Sequence, residues 1–379
     1  MRERRSRITH SPSKTGANAL MAPSGLQQQA LMTDRITIRK PDDWHLHVRD
    51  GAMLKAVLPI TARHFGRAIL MPNLVPPVTT TAEAIAYRQR VMAALPPGST
   101  FRPLLTCYLT DATDPDDVER GFRDGVFTGV KYYPAHATTN SAAGVTDLRN
   151  IMRVLERMEK LDMPFLMHGE DVDPTVDIFD REASFIDRYL QKWTRQFPGL
   201  RMILEHLSSR NGVDFVRSAA PQVGGTITPY HMMLTRTDWL GWGLKPYMYC
   251  MPVIKTEPDR LALRKAATSG AACYFLGTDS APHPMSRKVA VNGVPGLFNA
   301  PVALSTYVQV FEEEGALDKL EAFASLNGAR HYRMPPNQET ITLERSPWIA
   351  PAEIAVEGPD ERALVYRGGE TIAWQVVES

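Results

Sequence analysis

The chain has 379 residues, 44% hydrophobic and 22% charged, the composition of an ordinary globular protein long enough for a large core. Its 43 basic residues against 42 acidic ones leave a net charge of +1, so there is neither a basic field for nucleic acid nor an acidic tail for a charged partner. No apolar run reaches transmembrane length.

Three cysteines, Cys107, Cys250 and Cys273, lie in apolar, strand-like contexts and read as buried reduced thiols of a cytoplasmic protein. Residues 1–33 begin with Arg2, Arg4, Arg5 and Arg7 and continue rich in Ser, Gln, Ala and Gly. This Arg-rich, acid-poor pattern has the look of a transit peptide. It reads better as a disordered extension or a misassigned start, which leaves 34–379 as one folded domain.

From residue 36 short apolar runs alternate with helical stretches. In chain order the expected strands are 44–49 (WHLHVR), 68–73 (AILMPN), 102–109 (RPLLTCYL), 129–134 (GVKYYP), 164–169 (PFLMHG), 201–207 (RMILEHL), 224–231 (GGTITPYH) and 273–279 (CYFLGTD). They show little strict alternation, as parallel strands buried on both faces do. Helical periodicity runs over Thr80–Ala94, Asp114–Asp124, Leu148–Leu161, Asp177–Trp193, Pro258–Thr268 and Asn299–Glu314. Asp114 followed by Pro115 is a cap with proline at the first helical position.

Eight strands alternating with helices predict a (β/α)8 TIM-type barrel. A doubly wound open sheet is the competing fold, but no Gly-rich phosphate loop follows the first strand. Beyond the barrel, Leu317–Asn327 reads as a helix ending at Gly328. The short strands Ile341–Leu343, Ile354–Val356, Ala363–Tyr366 and Thr371–Val377 form a small C-terminal appendage.

In such a barrel the reactive residues come from the C-terminal ends of the strands. His45 and His47, two apart on strand 1, share a face and make a pair of imidazole ligands suited to zinc. Arg49 follows them. Strand 2 ends in Asn73, strand 4 carries Lys131, and strands 5 and 6 end in His168 and His206. The last strand ends in Asp279, with His283 just after. Half of the ten histidines thus fall on one face. Taken singly, His168 and His206 also fit satisfied core histidines, and Asp279 also fits a helix or turn cap.

Lys131 is harder to place as structure, since a lysine in an apolar strand must lose its charge or find a partner. An ammonium has no lone pair for a metal. Carboxylation of its ε-nitrogen by CO2 would give an anionic carbamate able to bridge two ions. Two divalent ions against carbamate, Asp279 and a bridging hydroxide leave about +1, which favours an anionic substrate.

These residues resemble the amidohydrolase superfamily and, within it, the shorter bacterial dihydroorotases. DDWHLHVRDG at 42–51, MPNLVPPVTT at 71–80, GVKYYPAHATTN at 129–140, HGE at 168–170, EH at 205–206 and GTDSAPH at 277–283 carry the resemblance. It implies two zinc ions at the barrel mouth, one held by His45, His47 and Asp279 and the other by His168 and His206. N6-carboxylated Lys131 would bridge them.

The resemblance also implies that Arg49, Asn73 and His283 bind a substrate carboxylate, with backbone near Met251 and Pro295. Thr138 and Thr139 would sit on a mobile lid, Pro134–Gly144, that closes over the substrate. Position 295 is proline: a family contact through a backbone N–H there would be lost, whereas a carbonyl contact would survive. The implied reaction interconverts N-carbamoyl-L-aspartate and L-dihydroorotate in pyrimidine synthesis. A metal-bridging hydroxide attacks and Asp279 serves as base and then acid.

A small-molecule substrate, no nucleic-acid or membrane partner, and a homodimer are the accompanying expectations. A hydantoinase or dihydropyrimidinase would keep nearly the same ligands but have less use for the carboxylate clamp. A mononuclear deaminase would not need Lys131, and a non-enzymatic scaffold would have lost ligands.

Overall fold

A strand that the hydrophobic pattern did not mark, β1 (Arg35–Arg39), precedes the barrel and pairs antiparallel with residues some 300 positions later. The structure, a computed structural model, describes residues 34–357 and 361–377, so the expectation for 1–33 lies outside the described residues.

Eight strands then pair in parallel, each with the next in sequence. They are β2 (Asp42–Leu46), β3 (Arg67–Leu70), β4 (Arg102–Tyr108), β5 (Phe127–Tyr132), β6 (Phe165–Met167), β7 (Met202–Leu204), β8 (Val223–Ile227) and β9 (Tyr274–Leu276). The last meets the first through a parallel bridge between Leu46 and Ser280. At this seam Asp279 N donates to His45 O at 2.9 Å and His47 N to Ser280 O at 3.0 Å. This is the (β/α)8 barrel. Most strands stop short of their expected ends because the residues carrying His47, Asn73, His168, His206 and Asp279 leave the ladder and turn into the mouth.

All six expected interstrand helices are present, with ends moved by a few residues. Two more, Gly51–His64 and Arg210–Ser218, complete the alternation. The first hides its periodicity behind Pro59 within it. The caps were legible: Asp50 accepts from Gly51 N, and Ser209 from Gly212 N.

Alternation along the short strands sorts the core. Ala68 and Leu70, Phe165 and Met167, and Met202 and Leu204 join the layer between sheet and helices. Trp44, Ile69, Leu166, Ile203 and Phe275 fill the barrel interior with Met71, Ala329 and Tyr332. Lys131 is in register with Leu166, and Leu166 with Ile203, which places the lysine on this inward layer.

The expected helix end at Gly328 is corrected, since helix continues over Asn327–His331. Gly328 instead permits close approach, because a Cβ there would overlap the Trp44 indole. Trp44 stacks on Tyr332 with ring centroids 4.4 Å apart, so the C-terminal helix closes the barrel floor.

In the appendage β10 (Thr340–Ile349) joins β1 to β13 (Thr371–Val377), while β11 (Glu353–Glu357) and β12 (Glu361–Leu364) form a separate pair. Trp374 Nε1 donates to Glu312 Oε2 at 3.1 Å, tying β13 to the helix Ala303–Glu313. Cys107 and Cys250 are buried free thiols, but Cys273 is only half-buried at the outer end of β9. No helix among the described residues is long and apolar enough to cross a membrane.

Candidate metal centre and substrate clamp

His45 and His47 converge on Asp279 from opposite sides of the barrel seam. Their Nε2 atoms lie 3.3 Å apart, and each is 3.2–3.3 Å from Asp279 Oδ1. One donor atom from each of the three residues lies within 4.8 Å of the others, which is room for one ion. Across the mouth, His168 Nδ1 lies 3.1 Å from His206 Nε2, and the His45 and His206 ring centroids are 5.0 Å apart. The five expected ligands therefore form one cluster.

Two carboxylates set which imidazole nitrogens are free. Glu205 Oε2 lies 2.8 Å from His45 Nδ1 and accepts its N–H, so Nε2 is the nitrogen that faces Asp279. Glu170 Oε2 accepts from His168 Nε2 at 2.7 Å, leaving Nδ1 toward His206. This carboxylate–histidine pairing is typical of metal-ligating imidazoles. Thr226 Oγ1 donates to Glu205 at 2.7 Å and accepts from His206 N at 2.7 Å, so one hydroxyl steadies both halves.

The backbone is strained where it aims these groups. Arg49, His206 and Asp279 have φ of 60°, 41° and 43°, a region costly for residues with a Cβ.

Lys131 Nζ is fully buried beneath the cluster without a hydrogen-bond partner, 5.1 Å from the Tyr133 ring centroid. Burial pushes its amine down to about 8, against the pull of Glu205 and Asp279. Burial opposes ionisation of Asp279, but His45 and His47 outweigh it and hold the carboxyl well below its ordinary value. Burial and the Arg49 guanidinium push His47 down to about 3, so it stays neutral and keeps a lone pair.

Burial holds His168 and His206 below their ordinary values as well, whereas at His45 burial and Lys131 are outweighed by Glu205 and Asp279, which raise it. An orphaned lysine beside clustered imidazoles and an ionised carboxylate fits divalent ions. Tyr230, unanticipated, donates its hydroxyl to Asp279 Oδ2 at 2.5 Å. Asp43 accepts from His45 N and from Thr278 N and Oγ1, pinning β2 to the end of β9.

Arg49, Asn73, Thr138, Thr139, Met251 and Pro295 line a narrow cavity of about 20 Å³ over the cluster, with Tyr133, Ala281 and Gly296 beside them. His283 stands behind it. Its Nε2 lies 2.9 Å from Arg49 Nη2 and 3.0 Å from Pro295 O, able to accept from the first or donate to the second.

The segment 134–145 lies over the mouth. Asn73 Nδ2 donates to Thr139 O and Asn140 Nδ2 to Asn73 O, both at 2.9 Å. Thr139 Oγ1 donates to Pro295 O at 3.1 Å. Pro295, which has no N–H, thus takes part through its carbonyl.

All thirteen residues singled out in the sequence meet at this end of the barrel. Those the sequence left out are the partners that orient them. Glu170 and Glu205 were visible as acids beside the histidines of HGE and EH, whereas Tyr230 reaches Asp279 from 49 positions away with no local signal.

Residues 42–359 match the amidohydrolase family. Among curated relatives, a dihydroorotase of a Synechococcus strain is 53% identical over 345 residues, 91% of this chain and 99% of its own. A dihydroorotase of Novosphingobium aromaticivorans is 54% identical over 346 residues, 91% of this chain and 99% of its own. The crystal structure of Saccharomyces cerevisiae dihydroorotase in complex with 5-fluoroorotic acid superposes with a TM-score of 0.84 at 32% identity, covering 91% of this chain and 98% of that one.

Proposed function

The chain belongs to the amidohydrolase family and, within it, to the dihydroorotases, hydrolases of a cyclic amide; from that premise we propose that it interconverts N-carbamoyl-L-aspartate and L-dihydroorotate on a pair of zinc ions. The observation that carries the metal reading is the buried, partnerless Lys131 amine under four histidines and Asp279. His45, His47 and Asp279 would hold one ion and His168 and His206 the other, with carboxylated Lys131 between them. When bound, the ions acidify a water and polarise an amide carbonyl.

Lys131 is suited to carboxylation. With its amine pushed down to about 8, an appreciable fraction is neutral near physiological pH, and the neutral lone pair adds to CO2 as one N–H proton departs. Asp279, held ionised, accepts the proton of the attacking water on the face away from Tyr230. It then delivers that proton to the ring nitrogen as the C–N bond breaks. In the cyclising direction it takes a proton from the ureido nitrogen.

Arg49 presents a two-pronged donor at the cavity edge, with Asn73 and His283 beside it, a clamp for a carboxylate. The yeast relative crystallised with 5-fluoroorotic acid supports a ring acid as occupant. A hydantoin or dihydrouracil ring has no such group to offer. The segment 134–145 would exclude water while the substrate is held. Residues 34–379 would act as one domain, in the cytoplasm and as a homodimer.

Metal analysis of the purified protein with a dihydroorotate ring-opening assay tests the reading. The expected result is about two zinc ions per chain and efficient turnover, falling by several orders of magnitude in Asp279→Asn with metal retained. Faster turnover of hydantoin or dihydrouracil than of dihydroorotate would overturn it.

A further inference from the structure

Lys288 is a second buried lysine, 4% exposed, at the end of the short helix Met285–Lys288. Among the described residues no carboxylate forms an ion pair with its ammonium. The three N–H groups go to three backbone carbonyls: Gly296 O at 2.7 Å, Tyr249 O at 2.8 Å and Val294 O at 3.0 Å. An ammonium has three donors, so all are used. Burial pushes the group down to about 8, because the position disfavours a cation. A methionine would fill the same space without that penalty.

The three acceptors explain what the ammonium does. Val294 and Gly296 flank Pro295, and Gly296 N donates to the same Tyr249 carbonyl at 2.9 Å. Lys288 thus joins the loop 294–296 to the loop that runs from Tyr249 to Met251. Pro295, held between two tied carbonyls, turns its own carbonyl toward the site. Thr139 Oγ1 donates to it at 3.1 Å, and His283, in the tautomer that carries its proton on Nε2 rather than accepting from Arg49, donates to it at 3.0 Å. The loop packs closely here, since a Cβ at Gly296 would meet Ala281 O and the His283 ring. Lid and carboxylate clamp therefore converge on one carbonyl whose position is set from behind.

We infer that Lys288 is a positioning residue for the carboxylate end of the substrate site: its ammonium fixes the Val294–Gly296 loop so that Pro295 O anchors both the lid through Thr139 and the clamp through His283. The inference rests on the dihydroorotate reading above. Lys288 touches neither the reacting atoms nor the expected metal ligands, so its effect falls on substrate binding.

The test compares zinc-loaded wild type, Lys288→Gln and Lys288→Met, measuring KM and kcat for dihydroorotate, metal content and thermal midpoint. The expected KM rises by about ten-fold or more in Lys288→Met, less in Lys288→Gln, which keeps two N–H donors, with kcat within about three-fold and metal retained. An unchanged KM in Lys288→Met overturns the inference. So does a fall in kcat that follows metal loss, or failure of both variants to yield soluble zinc-loaded protein, since either makes Lys288 a structural residue. A wild type without dihydroorotate turnover would instead overturn the proposed function.

Discussion

Tyr230 and Asp279 share a 2.5 Å hydrogen bond in which the phenol donates to Oδ2, leaving Oδ1 of the same carboxylate to His45 and His47. Burial and the adjacent carboxylate push the phenol well above its ordinary value, so it remains a donor throughout the working range. The bond divides the carboxylate's duties and fixes its plane. Tyr230→Phe frees that plane. A hydrogen bond to a charged group contributes about 1.5–3 kcal/mol, so kcat should fall by about ten-fold or more while KM for dihydroorotate holds. Steady-state kinetics decide it, and an unaltered kcat would leave Tyr230 as packing.

Glu205 and Glu170 each hold one histidine in a single tautomer. Exchanging either for glutamine replaces a charged acceptor with a neutral amide and weakens that orientation. Metal affinity should drop by about ten- to a hundred-fold in each variant, read as zinc lost to a chelator of known affinity. Wild-type retention in both would remove the carboxylates from the metal reading.

Histidines outside the centre make the fold acid-sensitive. Burial pushes His331, which packs against Phe275 under the barrel, from 6.5 down to about 4. His64 and His231 are likewise pushed to about 4 by burial. The folded pKa is depressed, so between pH 4 and 6.5 the unfolded chain binds more protons at these sites. Stability is fully present above that window and is lost as pH falls through it. The thermal midpoint of metal-free protein should therefore decline from pH 7 to pH 5, less steeply in His331→Gln. Equal slopes would show that His331 does not contribute.

Gly328→Ala probes the barrel floor, because the added methyl runs into a buried, stacked indole that cannot swing aside. Overpacking of this kind costs about 1–3 kcal/mol, so the denaturation midpoint should fall with no change in zinc content. A midpoint equal to wild type would mean that the Trp44–Tyr332 stack yields easily.

The barrel was legible because each buried parallel strand writes a local apolar run, and the ligands because they sit at the ends of those runs. The helix Gly51–His64 was obscured by Pro59, and β1, Arg-Ile-Thr-Ile-Arg over Arg35–Arg39, by being only five residues long with two apolar positions. Gly328 followed the common habit of glycine at helix ends, when the requirement came from Trp44, nearly three hundred residues away. The groups that orient the ligands, Tyr230 and Lys288 above all, are fixed only by tertiary neighbours, so no local pattern announces them.

The seam carries one more implication. The first and last staves of the barrel touch through a single bridged pair, Leu46 with Ser280, and a few hydrogen bonds around it. An ion held by His45, His47 and Asp279 would lie across that join as a clasp. The ligand set joins residues 45 and 47 to residue 279, so metal capture would favour the closed ring over an open one. Metal loading would then strengthen a closure that the Leu46–Ser280 bridge and its hydrogen bonds already make, and a chelator would weaken the join as well as the chemistry.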